Sequence, residues 1–196
     1  MQKITDNIYI LKPGELVRDD KKIIRYASSS VILMIDEFPL IVDTGLSLDW
    51  KTILGALKEV GFSKDDILMV INTHLHADHI GCNKKFRAKK YAHPLEIKQL
   101  SNNTDILPCP SKVSENISII ETPGHSNGHI SVVFRDEAVI VCSGDAIPTK
   151  NNYIERVPPR IHVNKKLAME SFFKIEKVAE IIIPGHDEWF YLDSTA

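Results

Sequence analysis

Three imidazoles and a carboxylate fall within six positions of the stretch Thr73-His74-Leu75-His76-Ala77-Asp78-His79-Ile80. Neutral imidazole nitrogens and a carboxylate oxygen are the donors that a borderline divalent cation takes. The preceding run, Ile67-Leu68-Met69-Val70-Ile71-Asn72, is apolar and partly β-branched and reads as a buried strand. Side chains on a strand repeat every two residues, so His74 and His76 share a face; on a helix the same spacing would point them apart. The pair therefore belongs at the carboxyl end of a strand, with Asp78 and His79 in the turn that follows. The competing reading is a polar loop of solvated histidines, since the chain carries eight in all.

Three more residues of the same chemistry end apolar runs further along. They are His125 in Thr122-Pro123-Gly124-His125-Ser126, Asp145 in Ser143-Gly144-Asp145, and His186 in Pro184-Gly185-His186. In layered α/β folds the strand ends and loops on one edge gather into a site, so ligands from four such places can converge while the strands stay packed. Each residue alone also suits an ordinary turn after Gly or Pro-Gly. That reading weakens because it must explain all four motifs at once. His129 has no place in the set and is expected to be structural or to support a ligand from behind. Asp43 is expected to do the same or to form a turn, because metal-bound histidines usually donate their other nitrogen to such a group. His93 and His162 are left outside the site.

The four motifs, in this order, resemble the signature of the metallo-β-lactamase superfamily, and they span Val42 to His186. The resemblance implies an α/β fold, a four-layered αββα sandwich, with residues 1–196 forming one domain. It implies that His74, His76 and His125 hold a first metal, that Asp78, His79 and His186 hold a second, and that Asp145 bridges them. Two divalent ions are expected, zinc first, with iron or manganese as alternatives. Ions roughly 3.5–4 Å apart can share a hydroxide and polarise the attacked oxygen. Asp78 would orient that hydroxide, which makes it the candidate catalytic residue. The implied activity is metal-dependent hydrolysis of a small-molecule ester, lactone or thioester.

Departures from the family pattern narrow the branch. β-Lactamases proper do not place an aspartate where Asp145 stands. The flavin-linked di-iron reductases use a glutamate where His76 stands. Glyoxalase II proper carries a C-terminal helical extension, whereas ten residues follow His186 here. Quorum-quenching lactonases often have a tyrosine three residues after the bridging aspartate, and Pro148 occupies that position. A mononuclear non-haem iron oxygenase of the persulfide dioxygenase type stays open, as the ligand set alone admits iron. A nuclease or phosphodiesterase and a non-catalytic metal-binding protein rank lower. Tyr153, Arg156 and Arg160, downstream of Asp145, are weighed as substrate contacts against plain surface roles.

The elements that must position these residues follow from periodicity. Strands are expected at Ile8–Leu11, Ile23–Tyr26, Ser30–Ile35, Leu40–Val42, Lys90–Ala92, Ile117–Ile120, Ile130–Phe134, Ala138–Cys142 and Ile181–Ile183. Helical spacing of Trp50, Ile53, Leu54, Leu57 and Val60 predicts a helix over 49–60 that stops at Gly61, and a second pattern covers 164–179. A short helix is expected after His79, towards Phe86. The charged stretch from Pro13 to Lys22, residues 101–116 and residues 146–162 read as loops or irregular connections.

A chain of 196 residues suits one domain with a sizeable core. A net charge of −2 gives no electrostatic case for a nucleic-acid partner. Cys82, Cys109 and Cys142 are odd in number and widely spaced, which argues against a disulfide framework and a thiolate zinc site. Met1–Asp6 has no apolar signal core, and no apolar run approaches a membrane span. The expectation is a cytoplasmic protein with a small-molecule substrate and no membrane or nucleic-acid partner. Its oligomeric state is left open, with a homodimer among the alternatives.

Overall fold

The computed structural model describes residues 1–100 and 105–192. Its strands and helices run, in chain order, β1 (Gln2–Lys3), β2 (Ile8–Lys12), β3 (Glu15–Arg18), β4 (Ile24–Ser28), β5 (Val31–Ile35), β6 (Pro39–Val42), α1 (Trp50–Val60), β7 (Met69–Ile71), α2 (Ala77–Ile80), β8 (Lys89–Ala92) and α3 (Pro94–Ile97). They continue with β9 (Ile106–Pro108), β10 (Ile117–Glu121), β11 (Ile130–Arg135), β12 (Val139–Gly144), α4 (Lys150–Ile154), α5 (Lys165–Glu176), β13 (Ile181–Pro184) and β14 (Phe190–Tyr191). One sheet has the order β1-β2-β5-β6-β7-β8-β9 and the other β10-β11-β12-β13-β14, while β3 and β4 pair only with each other. Within the sheets β6 to β9 are mutually parallel, as are β12 and β13.

Strand alternation builds the layers. On β2, β5 and β6 the residues Ile8, Ile10, Ile32, Met34, Leu40 and Val42 face the second sheet, meeting Ile130, Val132, Phe134, Ile140, Ile181 and Ile183. Their alternates Leu11, Val31, Leu33 and Ile41 face the other way, onto Ile53, Ala56 and Leu57 of α1. The second sheet repeats the arrangement: Val133, Val141 and Ile182 turn outward onto Phe172 and Ile175 of α5. Both faces of each sheet are covered, which is why these strands read as unbroken apolar runs rather than alternating ones. The order of layers is helix, sheet, sheet, helix: the αββα sandwich.

The short helix expected after His79 instead spans Ala77–Ile80, so Asp78 and His79 lie in it rather than in a turn before it. Three connections also differ from expectation. The charged stretch after Pro13 contains β3, whose pairing with β4 runs Glu15↔Ser28, Leu16↔Ala27 and Val17↔Tyr26. This hairpin joins neither sheet, so no buried face marks it as a strand in the sequence. Residues 101–104, part of the expected loop 101–116, lie outside the described residues. The rest of that loop contributes β9, an edge strand with Leu107 and Pro108 exposed. Within 146–162, the Thr149 hydroxyl accepts from the amide of Asn152 and starts α4. Gly61 ends α1 as expected, at φ +94°, with its amide bonded to the carbonyls of Leu57 and Lys58. Cys82, Cys109 and Cys142 are all free thiols.

The layer assignment can be tested by truncation. Phe172→Ala should cost about 3–5 kcal/mol in urea unfolding, since it empties a fully buried site between α5 and its sheet. Leu54→Ala, on the outer side of α1 at 40% exposure, should stay within about 0.5 kcal/mol of the parent. Equal effects of the two would contradict the layering.

Candidate metal centre

The site forms where strand ends of both sheets meet. From β7 the chain stays extended: the amide of Asn72 donates to the Tyr91 carbonyl at 2.8 Å and that of Thr73 to Asp43 Oδ1 at 2.8 Å. His74 and His76 then share a face, as their spacing required, and their rings lie 4.4 Å apart. His76 precedes α2, and α2 carries both Asp78 and His79. From the second sheet, the β10–β11 loop delivers His125, the end of β12 delivers Asp145, and the end of β13 delivers His186.

The nitrogens of the first three histidines converge. His125 Nε2 lies 3.2 Å from His74 Nε2 and 3.0 Å from His76 Nδ1. Asp145 lies beside the same point and a second one: Oδ2 is 3.4 Å from His125 Nε2, while Oδ1 is 3.1 Å from His186 Nε2 and 3.4 Å from His79 Nε2. Asp78 Oδ2 is 3.5 Å from His186 Nε2. Two groups, His74/His76/His125 and Asp78/His79/His186, could each hold a metal ion, and a third, His74/His79/Asp145, lies between them. All seven residues singled out in the sequence are therefore gathered in one place.

Several observations show that cations fit this donor set. The ring nitrogens facing away from the centre are already used: His79 Nδ1 pairs with Asp43 Oδ2 at 2.7 Å, His125 Nδ1 donates to the Ile161 carbonyl at 2.8 Å, and His186 Nδ1 donates to the Ser28 carbonyl at 3.1 Å. Such bonds fix each ring with its Nε2 turned inward. Inside, His79 Nε2 and Asp145 Oδ1 are buried without an aligned hydrogen-bond partner. Burial alone would lower His79, but the Asp43 and Asp145 carboxylates overcome it and hold the imidazole well above its usual range. Burial likewise opposes ionisation of Asp145, yet His186 and His79 keep it well below the ordinary carboxylate range. Positive charge is thus favoured between these groups. Burial and the neighbouring His79 charge instead keep His74 well below its usual value, a neutral ring with a free lone pair.

The surroundings hold the centre in register. Asp43, at φ +54°, accepts from the Thr73 amide and hydroxyl, both at 2.8 Å, as well as facing His79, and so acts as a strut behind the motif. His129 accepts the Asp145 amide at its Nε2 (3.0 Å), which leaves Nδ1–H to donate to Thr122 Oγ1 at 2.9 Å. Its role is to place the backbone of Asp145. Gly144 sits at φ +49°, and a Cβ there would come within 3 Å of Thr73 Oγ1 and His129 Nε2, so only glycine lets β12 deliver Asp145. His93 caps α3, accepting from the Leu95 amide, and His162 bonds the Pro159 carbonyl; neither joins the centre.

Glu96 was not singled out in the sequence, and a carboxylate on a four-residue helix gives no local signal of its role. It is buried, and its two oxygens accept the amides of Leu75 (3.1 Å) and Gly128 (3.0 Å). It thereby joins the loop of His74 and His76 to the loop of His125. Of the three downstream substrate candidates, only Arg160 reaches the cleft above the centre, which is also lined by Leu16, Ile24, Pro148 and Ile161. Tyr153 packs on Phe172 and Phe190 instead, and Arg156 pairs with Glu176 at 2.6 and 2.9 Å.

Two sheets sandwiched by helices, with histidines and aspartates gathered at their strand ends, make a centre that could hold metal ions. The sequence profile of the metallo-beta-lactamase superfamily matches residues 24–102. A probable metallo-hydrolase of Methanocaldococcus jannaschii is 41% identical over 185 residues, covering 94% of this chain and 88% of its own. The N-acyl homoserine lactonase of Bacillus thuringiensis is 27% identical over 199 residues, covering 80% and 79%. Among solved structures, a B. thuringiensis AiiA variant with N-decanoyl-L-homoserine at its active site aligns with a TM-score of 0.74 at 24% identity, over 92% and 93% of the chains. An N-acyl homoserine lactone hydrolase with its product at the catalytic metal centre aligns at 0.73 and 24%, over the same shares. The chain belongs to the metallo-β-lactamase superfamily and is a metal-dependent hydrolase.

Glu96→Gln keeps the shape of the clamp but leaves one amide facing an NH₂ group. It should lower unfolding free energy by about 1–3 kcal/mol, measured in urea. An unchanged midpoint would remove Glu96 from the list of groups that hold the site together.

Proposed function

We propose that the protein is a dinuclear hydrolase of small-molecule esters, lactones or thioesters, with residues 1–196 acting as one domain. The observation that carries this reading is the position of Asp145, whose two oxygens face separate imidazole groups. His74, His76 and His125 would hold one ion, Asp78, His79 and His186 the other, and Asp145 both. Zinc is the first choice for a site of imidazoles and carboxylates without sulfur. Bound there, two divalent cations would supply a water of lowered pKa and Lewis-acid polarisation of the substrate oxygen.

The chain's own groups supply the rest. Asp78 opens on the cleft, with 22% of its side chain exposed against 12% for Asp145. Its carboxylate can accept the proton of the attacking water and return it to the leaving group. Pro148, on the cleft wall, has no proton to donate. The relationship to N-acyl homoserine lactonases supports a lactone or ester carbonyl as the reacting group. The complete second group, Asp78/His79/His186, favours two ions over the single iron of an oxygenase.

Purified protein should hold about two transition-metal ions per chain by inductively coupled plasma mass spectrometry, since both groups carry a full set of donors. None bound after metal-supplemented expression would defeat the reading. Asp78→Ala should lower ester turnover by about 100-fold or more while circular dichroism stays native. Full activity would count against its role. Asp145→Asn removes the shared charge at nearly constant shape, so the second ion should be lost before the first. Asp43→Asn weakens the support behind His79, and chelator competition should show metal affinity about 10–100-fold lower. Unchanged affinity would leave Asp43 a purely structural residue.

A further inference from the structure

The cleft above the metal-ligand candidates is lined by two guanidinium groups that hydrolysis at the floor does not use. Arg18 comes from β3 and Arg160 from the segment before α5, and both stand beside the apolar side chains of Leu16, Ile24 and Ile161. Strand alternation puts Leu16 and Arg18 on the same face of the hairpin, the face that lines the cleft. Arg25, on the facing strand, is neutralised by Asp19 at 2.6 Å. Neither Arg18 nor Arg160 forms an ion pair with a described residue, and Arg18 has no side-chain hydrogen bond to one.

Arg160 is placed rather than free to wander. Its Nη1 donates to the Lys22 carbonyl at 2.6 Å, using one of five N–H donors. This bond ties the segment before α5 to the tip of the β3–β4 hairpin, so the two walls of the cleft meet across its mouth. The cleft therefore has two unpaired guanidiniums above the metal-ligand candidates and an apolar lining alongside.

We infer that Arg18 and Arg160 form an anion subsite and that the natural substrate carries a carboxylate. A short apolar spacer, lying along Leu16, Ile24 and Ile161, separates that group from the scissile carbonyl. Guanidinium groups take carboxylates in paired, charge-assisted hydrogen bonds, which makes them selective as well as attractive. The assignment rests on the proposed hydrolase reading and names its substrate class.

Two esters differing only at the far end test it: 4-nitrophenyl hydrogen adipate and 4-nitrophenyl 6-methylheptanoate, which has an isopropyl group in place of the carboxylate. Metal-loaded protein should prefer the anionic ester in kcat/KM. Arg18→Gln should lower the ratio of the two values about tenfold. Lys51→Gln, on the outer side of α1, should leave the ratio as it is. An independent arm reads the subsite without turnover. Adipate at constant ionic strength should slow phenylglyoxal modification of Arg18 and Arg160, mapped by peptide mass spectrometry, relative to exposed Arg87, while neutral adipamide should not. A ratio unmoved by Arg18→Gln, or the absence of selective protection, overturns the subsite. Protection without turnover of either ester keeps the subsite and refutes ester hydrolysis; turnover without preference or protection does the reverse.

Discussion

Asp145 is the constraint on which the arrangement depends. It is a buried carboxylate with three imidazole nitrogens within 3.4 Å of its oxygens and a fourth imidazole on its own amide. An ion taken out of water this completely is tolerated only where opposite charge and hydrogen-bond donors replace the lost hydration. The sequence around it meets that requirement from several directions. Gly144 removes the side chain that would block β12 from Thr73 and His129, and Gly185 leaves room for Asp145 Oδ1 where a Cβ would collide with it. The amide of Gly185 bonds the Gly144 carbonyl at 3.0 Å, so the strand ends carrying Asp145 and His186 are coupled directly.

The carboxylate behind the centre, Asp43, shows how the same problem is solved from the first sheet. It sits just past β6, in a left-handed backbone conformation that non-glycine residues seldom adopt. That conformation lets one side chain accept from Thr73 twice and from His79 once. The strain is local, and the parallel pairing of β6 with β7 over-determines the geometry around it. The two sheets thus each contribute a carboxylate to the buried His79 imidazole, Asp43 at Nδ1 and Asp145 at Nε2.

Much of this was legible in the sequence because the period of the chain and the chemistry of the site agree. His74 and His76 fall two apart after an apolar run, and a strand end is the structure that makes such a pair useful. His125, Asp145 and His186 follow apolar runs for the same reason. The layers were legible in general but not in their edges. β3 and β9 bury little, so Glu15-Leu16-Val17-Arg18 and Ile106-Leu107-Pro108 lack a one-sided pattern. Glu96 and the Ile161 carbonyl were invisible for a different cause: what they do depends on which loops meet, and that is decided by the packing of residues far apart in the chain. Tyr153 and Arg156 attracted interest only by sequence proximity to Asp145. Tyr153 in α4 and Arg156 just after it both turn towards α5.

The division between core and cover has a consequence for how such a chain can change. The ligand candidates hang from strand ends whose register is fixed by apolar contacts on both faces of each sheet, and a slip of one residue would exchange those faces. Chemistry and fold are therefore hard to alter separately. The cleft walls are built otherwise. The β3–β4 hairpin pairs only with itself, and it meets the segment before α5 through the bond from Arg160 to Lys22. Replacing Leu16, Arg18, Ile24 or Ile161 disturbs no buried layer, so the lining can vary while the centre beneath it stays intact. On the proposed reading, the lining that would set specificity lies on the β3–β4 hairpin and the segment before α5, where a change of side chain costs the fold least.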